Sequence, residues 1–493
     1  MISEKLQQAR EYEKEGILRV PSDQRPCFHI TAPIGWINDP NGFSTYKGWY
    51  HLFYQYHPYS THWGPMHWGH VRTKDFIKWE QLPAAIAPDM KYDKDGCFSG
   101  SAIEMPDGRH MLMYTSVVRK EDEDGVVRDY QQQAVAFGDG INYEKAAANP
   151  VITTAMIPEK NDKHDFRDPK IFIEDDTFFC LVGNRGEDGS GELLLYSSTD
   201  GLNWKNEGVI DKCNNEYGRM WECPDYFELD GKQILIVSPQ EMKGDGNEFH
   251  PGNGTVLFIG QKNTNHIFKR ESVQTTDFGM DFYAPQTIKT KDGRRVMIGW
   301  MQNWETCNVG NEKRMIYGQM SVPRELTIKD GRVCQTPVRE IENYYGKKIS
   351  YEDVSIGNGT ICNGIKGRIL DLTVELDLEK NPGLANFTVE LCKNDKFCTE
   401  IILDAVNKSI RFSREKSGVT HDIINVREFK VSPENGKYKL RFIMDKYSIE
   451  LFVNDGEKTA SAMVDTPLEA DEIGFSADKM AVANISMAEL KFD

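Results

Sequence analysis

The strongest constraint on this chain is a two-strand unit that recurs five times. The units are NDPNGFSTYKGWYHLFYQ from Asn38, FSGSAIEMPDGRHMLMYTS from Phe98, RDPKIFIEDDTFFCLVGN from Arg167, ECPDYFELDGKQILIVSP from Glu222 and YAPQTIKTKDGRRVMIGW from Tyr283. Each opens on a polar or aromatic cluster, runs on as a strand, turns, and returns as a strongly apolar strand. The turns are expected at Lys47-Gly48, Asp107-Gly108, Asp176-Thr177, Asp230-Gly231 and Asp292-Gly293, mostly with the Xaa-Gly chemistry that tight hairpins need. They recur every 54 to 69 residues. That is longer than a four-stranded blade of about 40–45 residues, and loops account for the excess. A five-bladed β-propeller over residues 25–335 is predicted.

A ring of blades brings equivalent positions together at one end of its axis. Counting back nine residues from the second turn residue lands on Asp39, Ser99, Asp168, Glu222 and Ala284. One Asp-Pro is ordinary turn chemistry. Three carboxylates at one repeat phase point instead to a site.

The rest of the chain has a different texture. Residues 1–24 read as a charged, helix-prone extension and 336–344 as a linker. Residues 345–493 alternate apolar and polar positions between regular turns, which predicts a β-sandwich without an acid/base cluster. The fold class is therefore all-β, a five-bladed propeller followed by a sandwich, and the sandwich is a candidate homodimer surface.

Charge and cysteine usage narrow the function. A net charge of −17 without a dense basic patch argues against a nucleic-acid partner. No run approaches the roughly 20 apolar residues of a membrane span. The N-terminus lacks the apolar run of a secretory signal, and ten scattered cysteines with no CxxC pair read as reduced thiols. A cytoplasmic protein is expected. His57, His62, His67 and His70 share one loop but lack helical metal-ligand spacing, so no metal or cofactor is expected.

The motifs WINDPNGF (36–43), FYQYHP (53–58), WGPMHWGH (63–70), FSGS (98–101), FRDPK (166–170), WECPD (221–225), DFYAPQ (281–286), SVPREL (321–326) and SIELFVNDGE (448–457) resemble, in order, those of glycoside hydrolase family 32. The resemblance spans nearly the whole chain. It implies a propeller followed by a sandwich, and retaining hydrolysis of β-fructofuranosides through a covalent fructosyl-enzyme. It implies Asp39 as nucleophile, Glu222 as acid/base and Asp168 as transition-state stabiliser. Asn38, Gln55, Trp63, Phe98, Ser99, Arg167, Tyr283 and Trp300 match positions that line the family's fructosyl pocket.

The residue types suit that chemistry. Retention needs two carboxyls in opposite protonation states. Asp39 lies among asparagines and turn amides that favour its ionised form. Glu222 stands between Trp221, Cys223 and Pro224, where a raised pKa is expected. Asp168 can bind two sugar hydroxyls at once, and Arg167 can pair with a carboxylate or bind a hydroxyl. Trp49, Trp79 and Trp204 read as packing.

Several alternatives stay open. One is an inverting five-bladed hydrolase of the arabinan or xylan type; another is a non-catalytic fructan-binding propeller. A third is hydrolysis of inulin- or levan-type fructo-oligosaccharides with some transfructosylation. The sugar partner itself is sucrose, sucrose-6-phosphate or a short fructo-oligosaccharide. A phosphate would call on Arg119, Lys120 or Arg128, in a loop that also carries Glu121, Asp122, Glu123 and Asp124.

Overall fold

The computed structural model describes residues 2–246, 248–307, 314–418 and 424–492. Five four-stranded antiparallel sheets follow one another along the chain. Their innermost strands are β1 (Gly35–Tyr46), β2 (Gly96–Glu104), β3 (Phe166–Glu174), β4 (Met220–Leu229) and β5 (Tyr283–Lys289). Each innermost strand touches the next, and β5 touches β1 again, so the blades close into a five-membered ring. Ile316–Tyr317 adds a short parallel strand beside β1, and Met320 donates its N–H to the Ile30 carbonyl at 2.9 Å. The end of the propeller is thereby fastened to its beginning.

The second strand of each unit is a continuous apolar run because both of its faces are buried. Side chains alternate between the two seams that flank each blade. In the second blade Leu112 and Tyr114 pack with Phe53 and Trp68 of the first. Met111 and Met113 pack with Phe166, Ile171 and Val182 of the third. The third blade repeats the division: Leu181 and Leu195 meet Leu235 and Phe258 of the fourth.

Turn chemistry places the hairpins, with one correction. Lys47-Gly48 and Asp230-Gly231 are two-residue loops with both residues at positive φ, the geometry that suits strand twist. In the third unit the loop is Asp175-Asp176 (φ 48° and 61°), one residue before the expected Asp176-Thr177. Aspartate tolerates the left-handed region better than a β-branched threonine. This one-residue difference changes which residues share a phase.

Ahead of the ring, Ser3 caps a helix over Glu4–Gly16. That helix docks on the first blade, where Arg10 Nε donates to the Ala84 carbonyl and Glu13 accepts the Ala84 N–H. After the ring comes a 3-10 turn, Arg339–Tyr344, then a six-stranded and a five-stranded sheet packed face to face. Their inner faces share a core that includes Leu372, Val389, Ile401, Phe442, Leu451 and Phe475.

Buried ion pairs join sandwich to propeller. His29 Nδ1 lies 2.9 Å from Asp445 and Nε2 lies 3.0 Å from Glu450, with all three side chains fully buried. Arg324 pairs with Asp277 at 2.9 Å and with Glu450 at 2.6 Å.

Candidate active site

All five innermost strands carry a bulge near their start. The ladder slips between Ile37 and Pro40, Phe98 and Gly100, Arg167 and Lys170, Glu222 and Asp225, and Tyr283 and Gln286. Asp168, Cys223 and Ala284 occupy the same place in the last three bulges, with φ of 68°, 47° and 51°. Such backbone costs roughly 1–3 kcal/mol for each non-glycine residue and persists only where its surroundings enforce it. Each is followed by a proline, Pro169, Pro224 or Pro285, which brings no N–H to be orphaned where the ladder slips.

The surroundings that enforce it come from the preceding blade. Thr115 Oγ1 accepts the Asp168 N–H at 2.8 Å, Asp168 Oδ2 accepts the Cys223 N–H at 2.9 Å, and Ser238 Oγ accepts the Ala284 N–H at 3.0 Å. Asp168 is therefore both a pocket carboxylate and the clamp on the next bulge.

The register corrects the phase expected from counting. Cys223, not Glu222, is the counterpart of Asp168. Glu222 is instead in phase with Arg167 and Tyr283, and these three side chains touch. Arg167 Nε donates to Glu222 Oε1 at 3.0 Å and the Tyr283 hydroxyl donates to Oε2 at 2.6 Å. Arg167 also pairs with Asp165 at 2.7 Å.

A pocket of about 740 Å³ opens where the bulges converge. Asp39, Asp168 and Glu222 line it together with Asn38, Gln55, Trp63, Phe98, Ser99 and Arg167. Ser99 Oγ donates to Asp39 Oδ2 at 2.7 Å, Gln55 is tethered to the Cys97 carbonyl, and Trp63 stands edge-on to Phe98. The Cys223 sulfur lies 3.4 Å from Asp39 and 3.5 Å from Asp168, so one thiol bridges both carboxylates.

Two expected lining residues sit elsewhere. Tyr283 is fully buried behind Glu222 and reaches the site through its hydroxyl. Trp300 ends the strand paired with β5 and is fully buried. Its ring packs 4.8 Å from that of Trp304, and Trp304 is the one that lines the pocket. Trp300 packs against Trp36 in the core, whereas Trp304, in the segment that follows, faces the opening. Gln131, His164, Asp165, Gln240 and Trp304 also line the pocket and carried no local signal. Of the histidine loop, none lines the pocket, and His67 is buried with its pKa pushed down to about 3 by desolvation.

Burial dominates the electrostatics. It raises the pKa of Asp39, against the lowering effect of hydrogen bonds from Ser99, Asn38 and the Cys223 thiol. The polar neighbourhood expected from the sequence is present, but it is a dry one. Glu222 is raised by burial and by the charge of Asp39, while Arg167 and Tyr283 pull it down. Asp168 is likewise raised, by burial and by Glu222. Three carboxyls around one fully engaged guanidinium cannot all ionise cheaply, so the cluster retains a proton. Burial beside these carboxyls drives the Cys223 thiol far up, leaving it protonated as a weak donor between them.

A five-bladed propeller with three carboxyls converging on its axial pocket fits a glycoside hydrolase. The chain belongs to glycosyl hydrolases family 32: the models of that family's N-terminal and C-terminal domains match residues 29–337 and 340–491. It is 34% identical over 458 residues to a Zymomonas mobilis sucrose-6-phosphate hydrolase, covering 90% of this chain and 86% of the relative. It is also 34% identical to an Escherichia coli raffinose invertase, covering 89% of each. Among solved structures it is similar to a Bombyx mori GH32 beta-fructofuranosidase, with a TM-score of 0.85, 30% identity and 98% of both chains covered. No helix among the described residues is long and apolar enough to cross a membrane.

Proposed function

We propose that Asp39 and Glu222 carry out retaining cleavage of the fructosyl bond, with Asp168 holding the sugar. The carrying observation is the contrast between the two carboxyls. Both oxygens of Glu222 are engaged, by Arg167 and Tyr283, which fixes its orientation. Asp39 Oδ2 is held by Ser99 and Cys223, while Oδ1 has no hydrogen-bond partner among the described residues. An unshared carboxylate oxygen is what a nucleophile needs.

In the first step Asp39 Oδ1 attacks the anomeric C2 as its bond to the leaving oxygen breaks, and the proton of Glu222 passes to that oxygen. In the second, Glu222 takes a proton from water, the hydroxide oxygen attacks C2, and Asp39 is released. Asp168 accepts hydroxyl hydrogen bonds that strengthen as positive charge grows on the ring. A reducing compartment fits the ten free cysteines, nine of them buried.

The test is the anomer released first, followed by NMR on sucrose. β-Fructofuranose supports this assignment, and the α-anomer would replace it with an inverting one. A Glu222→Ala enzyme that azide rescues on an activated fructoside identifies the acid/base residue, whereas undiminished activity without azide removes Glu222 from that role.

A further inference from the structure

We propose that the mouth of this pocket selects a neutral leaving group, so that the chain takes sucrose and discriminates against sucrose-6-phosphate. The proposal rests on the fructofuranosidase reading above and adds the chemistry of the other half of the substrate. With the fructosyl unit among the carboxyls, the glucosyl unit and anything attached to it must meet the more exposed lining residues.

Among the described residues lining the pocket the cations are Arg119, Arg128 and Arg167, and each already holds carboxylates. Arg119 Nε pairs with Asp129 at 2.8 Å, and its guanidinium carbon lies 5.3 Å from the centre of the Trp63 ring. Arg128 spans Asp122 at 2.7 Å and Asp124 at 2.6 Å. Arg167 is committed to Asp165 and Glu222. Lys120, the other cation a phosphate would call on, does not line the pocket; its ammonium lies 4.9 Å from the Tyr130 ring.

Against these stand Asp39, Asp129, Asp165, Asp168 and Glu222 in the lining. A phosphate dianion must therefore share Arg119 with Asp129, displace an aspartate from Arg128, or sit unpaired in a negative field. An arginine recognises phosphate best when its fork is free to engage it bidentately. A glucosyl unit asks for something else, and the mouth has it: aromatic surface on Trp63 and Trp304, and polar groups on Asp129 and His164.

The experiment compares kcat/KM of the purified enzyme on sucrose and sucrose-6-phosphate at low and high salt. A preference for sucrose of about tenfold or more at low salt is expected, narrowing as salt screens the repulsion. Asp129→Asn removes one negative charge and frees the Arg119 fork, and should move the ratio roughly five- to tenfold toward the phosphoester. Equal turnover at every salt concentration, or a preference for the phosphoester that salt weakens, overturns the proposal and leaves the enzyme class intact. Failure on both substrates and on raffinose overturns the proposal, and failure on inulin and levan as well overturns the class.

Discussion

The Tyr283 hydroxyl donates to Glu222 Oε2 at 2.6 Å, across the boundary between the fourth and fifth blades. With Arg167 on the other oxygen, the Glu222 carboxyl is held by one residue from each neighbouring blade, all at one register position. This makes its protonation a property of three blades rather than of one strand.

Both partners favour the ionised form of Glu222, so losing either raises its pKa. Tyr283→Phe should therefore shift the alkaline limb of the kcat/KM profile to higher pH, because the catalytic proton is kept longer. A limb displaced to lower pH would show that Glu222 is not the group that sets it.

Asp39→Asn should lower kcat on the order of 10⁴-fold or more, the scale seen when a nucleophile is removed, with the fold intact by circular dichroism. Glu222→Gln should cost about 10²–10⁴-fold, the typical share of general acid–base catalysis, and less with a fructoside whose leaving group needs no proton. Equal losses on good and poor leaving groups would move Glu222 out of the acid role.

Trp300 and Trp304 are four residues apart and should fail differently. Trp300→Ala opens a fully buried site and should cost about 3–5 kcal/mol in denaturant unfolding. Trp304→Ala exposes a half-buried wall of the pocket and should raise KM more than it lowers the melting temperature.

His29 joins the propeller to the sandwich through Asp445 and Glu450. Burial alone would lower its pKa, but the two carboxylates outweigh burial and hold it at about 9. Because the folded value lies above the ordinary 6.5, the stabilisation is complete below about pH 6.5 and is lost as pH rises through about 9. His29→Gln should cost about 3–5 kcal/mol near pH 6, since it leaves the buried Asp445 without a counter-charge and Glu450 with Arg324 alone. By calorimetry the gap between the two proteins should close between pH 6.5 and 9; a gap that stays constant would show that the imidazole is neutral in the fold.

Tight turns at Lys47-Gly48 and Asp230-Gly231 and the five strand pairs follow from turn chemistry and alternation within single units, whereas the shared phase that singles out the three carboxyls is not the one the register shows. The phase of Glu222 does not follow locally, because it depends on the third hairpin turning on Asp175-Asp176 and on a bulge that only strand pairing shows. Trp300 and Trp304 are alike in the sequence for a related reason: a window of chain does not say which of two tryptophans ends a ladder and which follows it.

By itself the sequence determined the blades and the sandwich, since each rests on patterns within about 20 residues of chain. Only the tertiary structure decided which oxygen of Asp39 is free, what holds Glu222, how the rim arginines are neutralised and where His29 is buried. Those contacts link residues tens to hundreds of positions apart, from 10 between Arg119 and Asp129 through 61 between Glu222 and Tyr283 to 421 between His29 and Glu450. Burial then sets their strength, because removing water from a charge changes its cost far more than any neighbour in sequence can.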